Sequence, residues 1–199
     1  YTGVTGVTLN GTSVEAKGNY TVKTSELTDD CTFEVVFTKA FCDTLKANDK
    51  IVISYTATLN EKAVVGTDGN SNESKVEYGE SGKTTTTPPS TTTTYTWKVD
   101  VLKYAEVTPE GSSATEEKPL SGAVFILSKN NKGEAPIALI SEGNNVYRVA
   151  KADETNTVTE ITTDSTGKFT IKGLDSDTYY LIEKTAPAGY NTLKEPVTI

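Results

Sequence analysis

Two ionisable residues, Lys103 and Glu183, lie in line with large apolar neighbours, and the chemistry they offer is that of an amine facing an acid out of water. In Tyr179-Tyr180-Leu181-Ile182-Glu183-Lys184 a strand's period of two puts Tyr179, Leu181 and Glu183 on one face and Tyr180, Ile182 and Lys184 on the other. In Trp97-Lys98-Val99-Asp100-Val101-Leu102-Lys103 the same rule groups Trp97, Val99, Val101 and Lys103, with Lys98 and Asp100 opposite. Removing both groups from water disfavours their charged forms, so a buried Lys103 and Glu183 can coexist as neutral amine and neutral acid. A neutral amine is a nucleophile. If an asparagine amide is held against it, the protonated acid can hydrogen-bond the amide carbonyl, stabilise the developing oxyanion and shuttle protons as ammonia leaves. The product is a covalent Lys-Asn bond between strands. The same spacing fits a buried Lys-Glu salt bridge in which no bond forms.

The elements that must hold these residues read as β throughout. Segments 20–22, 32–37 and 51–59 are rich in β-branched and aromatic residues, with Asp, Asn and Lys between them, and Asn10-Gly11 marks a turn. Residues 41–47, with Phe41, Asp43 and Leu45, fit one helical turn better than a strand. Residues 72–78 alternate, with Glu73, Lys75 and Glu77 on one face and Asn72, Ser74, Val76 and Tyr78 on the other, which places Asn72 toward the core. The run Lys83-Thr-Thr-Thr-Thr-Pro-Pro-Ser-Thr-Thr-Thr-Thr94 is too polar and proline-broken to bury anything. It reads as an extended linker, either a plain spacer or a carrier of O-linked sugars. The expected organisation is therefore a domain over 1–82, a linker over 83–94 and a second domain over 95–199.

Composition excludes several function classes. The 199 residues contain no His, which removes the usual ligand of zinc sites and the usual base of catalytic triads. The net charge of −8 argues against nucleic acid or an anionic membrane surface as partner. No apolar run reaches the length that spans a bilayer, and no cofactor or metal site is expected. Neither a signal peptide nor a wall-anchoring signal is present, which is read as trimming of a longer product. Cys31 and Cys42 are too few for a disulfide scaffold. They fit either one bridge, closed by a helical turn or bulge near residues 39–43, or two small buried thiols.

Four blocks in order, Val-Asp-Val-Leu-Lys-Tyr at 99–104, Pro-Leu-Ser-Gly-Ala-Val-Phe-Ile-Leu at 119–127, Gly-Lys-Phe-Thr-Ile-Lys-Gly-Leu at 167–174 and the Glu183 strand, resemble a Cna-B-type domain. Such domains build sortase-assembled pili and adhesin stalks of Gram-positive bacteria. The block from Tyr55 to Tyr78 resembles the end of the domain that precedes the Cna-B module in backbone pilins. The resemblance implies an all-β chain of two tandem immunoglobulin-like, Cna-type β-sandwich domains. It implies a structural, non-enzymatic subunit of a cell-wall-anchored pilus or stalk, extracellular, with neighbouring pilin subunits and sortase as partners. Lys103 becomes the isopeptide donor, Glu183 the promoting acid, and Asn72 the acceptor of the first domain, whose donor lysine lies upstream of Tyr1. Glu34, between Phe33 and Val35, is a candidate acid for that domain. The resemblance places the acceptor for Lys103 on a last strand beyond that of Glu183, a role Asn191, directly after the Gly189-Tyr190 turn, fits poorly; either no bond forms within these residues or the acceptor comes from outside them. The asparagine-based glycosylation triplets at Asn10, Asn19 and Asn72 matter only in a eukaryotic secretory protein, which the resemblance disfavours. The alternative is an adhesin module for host extracellular-matrix protein or glycan, whose surface would be the insertion between Leu127 and Gly167 with Asn144-Asn145-Val146-Tyr147-Arg148.

Overall fold

The computed structural model describes residues 1–27, 29–80 and 82–199. The chain divides into two compact units, Tyr1–Lys62 and Ala63–Ile199.

In the first unit, β1 (Gly3–Leu9) turns through Asn10 and Gly11, both at positive φ, into β2 (Thr12–Ser13). A left-handed Asn-Gly pair is what a tight hairpin demands. β3 (Tyr20–Lys23) pairs with β4 (Glu34–Phe37), and β5 (Ile51–Thr56) pairs with β1. Between β4 and β5 lies one helical turn, α1 (Lys39–Cys42), which begins two residues earlier than the apolar spacing suggests. Its start is fixed by Thr38, whose hydroxyl accepts the Phe41 N–H at 3.2 Å. Among the described residues only Val7 and Phe41 are buried apolar side chains of this unit. The rest of its packing is aromatic: Tyr1 stacks on Phe33, Phe33 meets Tyr55 at a tilt of 59°, and Phe37 stacks on Phe41.

Of the two readings open for the cysteines, neither describes the structure: Cys31 and Cys42 are free thiols, the first half-buried and the second exposed. Phe41 takes the buried position of α1, which leaves Cys42 exposed at the end of the turn.

The second unit opens with a ribbon. β6 (Asn70–Ser74) pairs with β9 (Ser90–Thr94), and β7 (Glu77–Glu80) pairs with β8 (Lys83–Thr86). The run expected to be a free linker, 83–94, is thus the return arm of this ribbon, and residues 63–94 belong to the same compact unit as the strands C-terminal to them. The physical reason lies in threonine, which favours strands, and in where the prolines stand. Pro88 and Pro89 fall between β8 and β9, where no ladder donor is needed, while Thr87 N–H bonds Val76 C=O at 2.9 Å across the same break.

The sandwich comprises β10 (Trp97–Leu102), β11 (Tyr104–Val107), β12 (Glu116–Pro119), β13 (Val124–Ser128), β14 (Leu139–Gly143), β15 (Val146–Val149), β16 (Glu160–Thr162), β17 (Lys168–Leu174), β18 (Tyr180–Thr185) and β19 (Val197–Thr198). One sheet has the order β10-β17-β15-β14, the other β16-β13-β18-β19, and β11 pairs with β12 alone. Phe169, Ile171 and Leu174 of β17 meet Phe125 and Leu127 of β13 and Leu181 of β18 in a single buried cluster. Inward-facing residues alternate with outward ones on β10, β17 and β18, as the period of two requires.

Candidate functional site

Lys103 and Glu183 meet. β10 and β18 belong to different sheets, and the alternation along each carries these two side chains inward past Val99 and Val101 on one side and Tyr179 and Leu181 on the other. The Lys103 Nζ lies 3.0 Å from Glu183 Oε2, with the two side chains 12% and 0% exposed. The Leu193 N–H donates to the same oxygen at 2.8 Å. Glu183 Oε1 is buried and finds no hydrogen-bond partner among the described residues. A buried carboxyl oxygen left unpaired costs on the order of 1–3 kcal/mol, so the carboxyl is built for one more polar neighbour than it has.

Beside Lys103 lies a cavity of about 240 Å³ whose lining includes Val99, Val101, Lys103, Leu193, Val197 and Ile199. β10 and β19, which both contribute to the lining, are edge strands of their sheets. A mostly apolar slot with the Lys103 amine in its lining, and Glu183 3.0 Å from that amine, can accept a further strand and present that strand's side chain to the pair.

The other residues singled out from sequence are not brought into such a site. Asn72 lies on β6, exposed and opposite Thr92 in the ribbon, which corrects its expected core-facing position. Alternation ranks the two faces of a strand, but in this ribbon neither face is covered. Its neighbour Asn70 is the half-buried one, accepting Val64 N–H at 2.8 Å and donating to Val64 C=O at 2.9 Å. Glu34 accepts a hydrogen bond from the Cys31 thiol at 3.7 Å. Asp29, Cys31 and Glu34 lie close together, and the Cys31 thiol is pushed up to about 11, first by its hydrogen bond to Asp29 and then by burial.

Asn145, Tyr147 and Arg148 are occupied inside the domain. Asn144 and Asn145 make the left-handed turn between β14 and β15, and Asn145 Nδ2 donates to the carbonyls of Thr162 and Lys168. Tyr147 packs against the core and donates its hydroxyl to Asn145. Arg148 forks onto Glu154, whose carboxyl it holds down at about 2. In the depression beside Trp97, Ser176 accepts the indole N–H, and Asp177, held below the usual carboxylate range by Lys129, is tied to that lysine at 2.6 Å. These polar groups serve the fold. Sequence reasoning missed the Leu193 N–H, a backbone donor from a stretch with no periodic pattern, and the Arg148–Glu154 fork.

Residues 105–199 match the family model described as SpaA, prealbumin-like fold domain. The 35 kDa C-terminal fragment of the major pilin GBS80 of Streptococcus agalactiae matches with a TM-score of 0.65 and 20% identity, over 100% of this chain and 74% of that one. The chain is pilin-like in fold. The full-length major pilin SpaD of Corynebacterium diphtheriae gives a TM-score of 0.58 and 22% identity over 98% of this chain and 46% of its own. The pilus 2b backbone protein of group B streptococcus gives 0.56 and 22% over 98% and 69%. The chain therefore spans about half the length of the full-length pilin SpaD and about three quarters of the GBS80 fragment. No curated protein matches it. The all-β class expected from the sequence is the class observed, with a β-sandwich like those of the matched pilins.

Proposed function

We propose that the chain is a load-bearing segment of a Gram-positive pilus or surface stalk, and that its second unit is organised for a self-made isopeptide bond between Lys103 and an asparagine. The observation that carries this reading is the buried Lys103–Glu183 contact with Glu183 Oε1 unpaired. In the bond-forming step the neutral Lys103 Nζ attacks the amide carbon of the asparagine, and protonated Glu183 hydrogen-bonds the carbonyl oxygen as charge develops there. The carboxyl relays the amine's proton to the leaving nitrogen, so amine plus primary amide yields secondary amide plus ammonia. The reaction occurs once and modifies only the protein itself. The acceptor is carried by a strand laid in the slot between β10 and β19.

The pilin likeness supports neighbouring pilin subunits as partners and an extracellular, cell-wall location, with sortase as the enzyme that joins subunits. The alternative of a matrix- or glycan-binding adhesin loses three of its recognition residues, because the side chains of Asn145, Tyr147 and Arg148 are engaged within the domain.

Intact mass of the full-length product tests the reading. It should fall short of the sequence mass by one ammonia for the bond at Lys103, and Glu183→Ala should restore that ammonia. Wild-type protein at its full mass reduces Lys103 and Glu183 to an ion pair.

A further inference from the structure

We propose that the segment Thr163–Gly167 is a positioning device for Lys103, holding its backbone so that the amine is delivered to Glu183; this rests on the bond-forming reading above. Lys103 stands at a joint, between the last residue of β10 and the first of β11. Its ladder partners therefore change on either side of it, and neither sheet alone fixes its position.

Two hydrogen bonds do so instead. The Lys103 N–H donates to Gly167 C=O at 2.8 Å, and the Lys103 C=O accepts the Leu120 N–H at 2.8 Å. Both trace back to one short segment. Gly167 belongs to it directly, and Leu120 is held to it by Thr163, whose hydroxyl donates to Leu120 C=O at 2.8 Å while accepting the Ala123 N–H at 3.0 Å. Thr163 is 2% exposed and Leu120 6%. The intervening turn is set by Asp164, whose Oδ1 accepts from Thr166 N–H, Thr166 hydroxyl and Lys168 N–H.

Gly167 is where the device is tightest. Its φ is +74°, and a Cβ there would stand 2.4 Å from Lys103 O and 3.0 Å from Leu120 N. Those are the two atoms of one hydrogen bond, so any side chain at 167 wedges it open and displaces Lys103. A loss of positioning of this kind, on the scale of an ångström, slows a reaction between prepositioned groups by about tenfold to a hundredfold.

The test compares wild type with Gly167→Ala, Thr163→Val and Thr163→Ser by two readouts. In the full-length product, the fraction of chains lacking one ammonia is followed with time after synthesis. In the 199-residue chain, the rate of acetylation of the Lys103 amine by an N-hydroxysuccinimide ester is followed by peptide mass. Gly167→Ala and Thr163→Val should form the bond about tenfold more slowly and acetylate faster with unchanged far-UV circular dichroism, while Thr163→Ser, which keeps the hydroxyl, should behave as wild type. If Gly167→Ala does not fold, the valine and serine variants decide, since they leave the turn's φ untouched. Wild-type rates of both bond formation and acetylation in the valine variant overturn the proposal. A wild type that never loses ammonia contradicts the bond, and the acetylation rates then still decide whether Thr163–Gly167 positions Lys103.

Discussion

The two units solve the same problem, holding strands together, with very different means. In Tyr1–Lys62 the buried apolar side chains are Val7 and Phe41, while Val22, Val36, Val52 and Ile53 stay exposed. In Ala63–Ile199 Phe125, Leu127, Leu139, Ile161, Phe169, Ile171 and Leu181 close one continuous core between two four-stranded sheets. Apolar burial is the main favourable term in folding, so the second unit holds most of the chain's stability and the first relies on aromatic stacks and hydrogen bonds. A rigid core is also what allows an amine and an acid to be kept out of water at a fixed separation. Lys103 and Glu183 meet as a site inside that core, whereas Glu34 belongs to the first unit and Asn72 to the uncovered ribbon of the second.

The largest expected effect breaks the stronger side of this comparison. Phe125→Ala should cost the second unit about 3–5 kcal/mol in chemical denaturation and leave the first unit's transition in place. Next comes the buried pair. Glu183→Ala strands the Lys103 amine and should cost about 3–5 kcal/mol in the 199-residue chain, whereas Lys39→Ala, which removes the exposed 2.7 Å pair with Asp43 in the first unit, should change stability by less than about 1 kcal/mol. Similar losses from the two substitutions would mean that Glu183 is not shielded from water.

Acid sharpens the contrast further. The Glu154 carboxyl is lowered from 4.5 to about 2 by Arg148. A depressed folded value stabilises above the unfolded value, so this contribution is present above pH 4.5 and is lost as pH falls from 4.5 toward 2. Thermal unfolding of the second unit followed across that window should weaken, and Glu154→Gln should flatten the slope. The smallest effect concerns the thiols. Cys31, pushed up to about 11, should alkylate more slowly at pH 8 than exposed Cys42, as read by peptide mass; equal rates would remove the Asp29 and Glu34 hydrogen bonds from the account.

Much of the second unit was legible in the sequence because its strands are covered on one face. Trp97, Val99 and Val101 alternate with Lys98 and Asp100, and that contrast carried Lys103 to its place beside Glu183. In the ribbon the same logic fails, because Asn72, Ser74 and Thr92 face water whichever side they take. The Thr/Pro run looked like a spacer because composition reports what a segment cannot bury, not what it can hydrogen-bond. The hold on Lys103 was illegible for a related reason: it is made of Gly167 and Leu120 backbone groups, whose partners are decided only when the two sheets close.

Whether the Lys103 amine becomes an amide nitrogen is read from a tryptic map of the full-length product. Trypsin should not cut after Lys103, and its peptide should be recovered joined to an asparagine-bearing peptide with one ammonia missing. Recovery of Lys103 as an ordinary cleavage site, with its peptide at the unmodified mass, would contradict the bond.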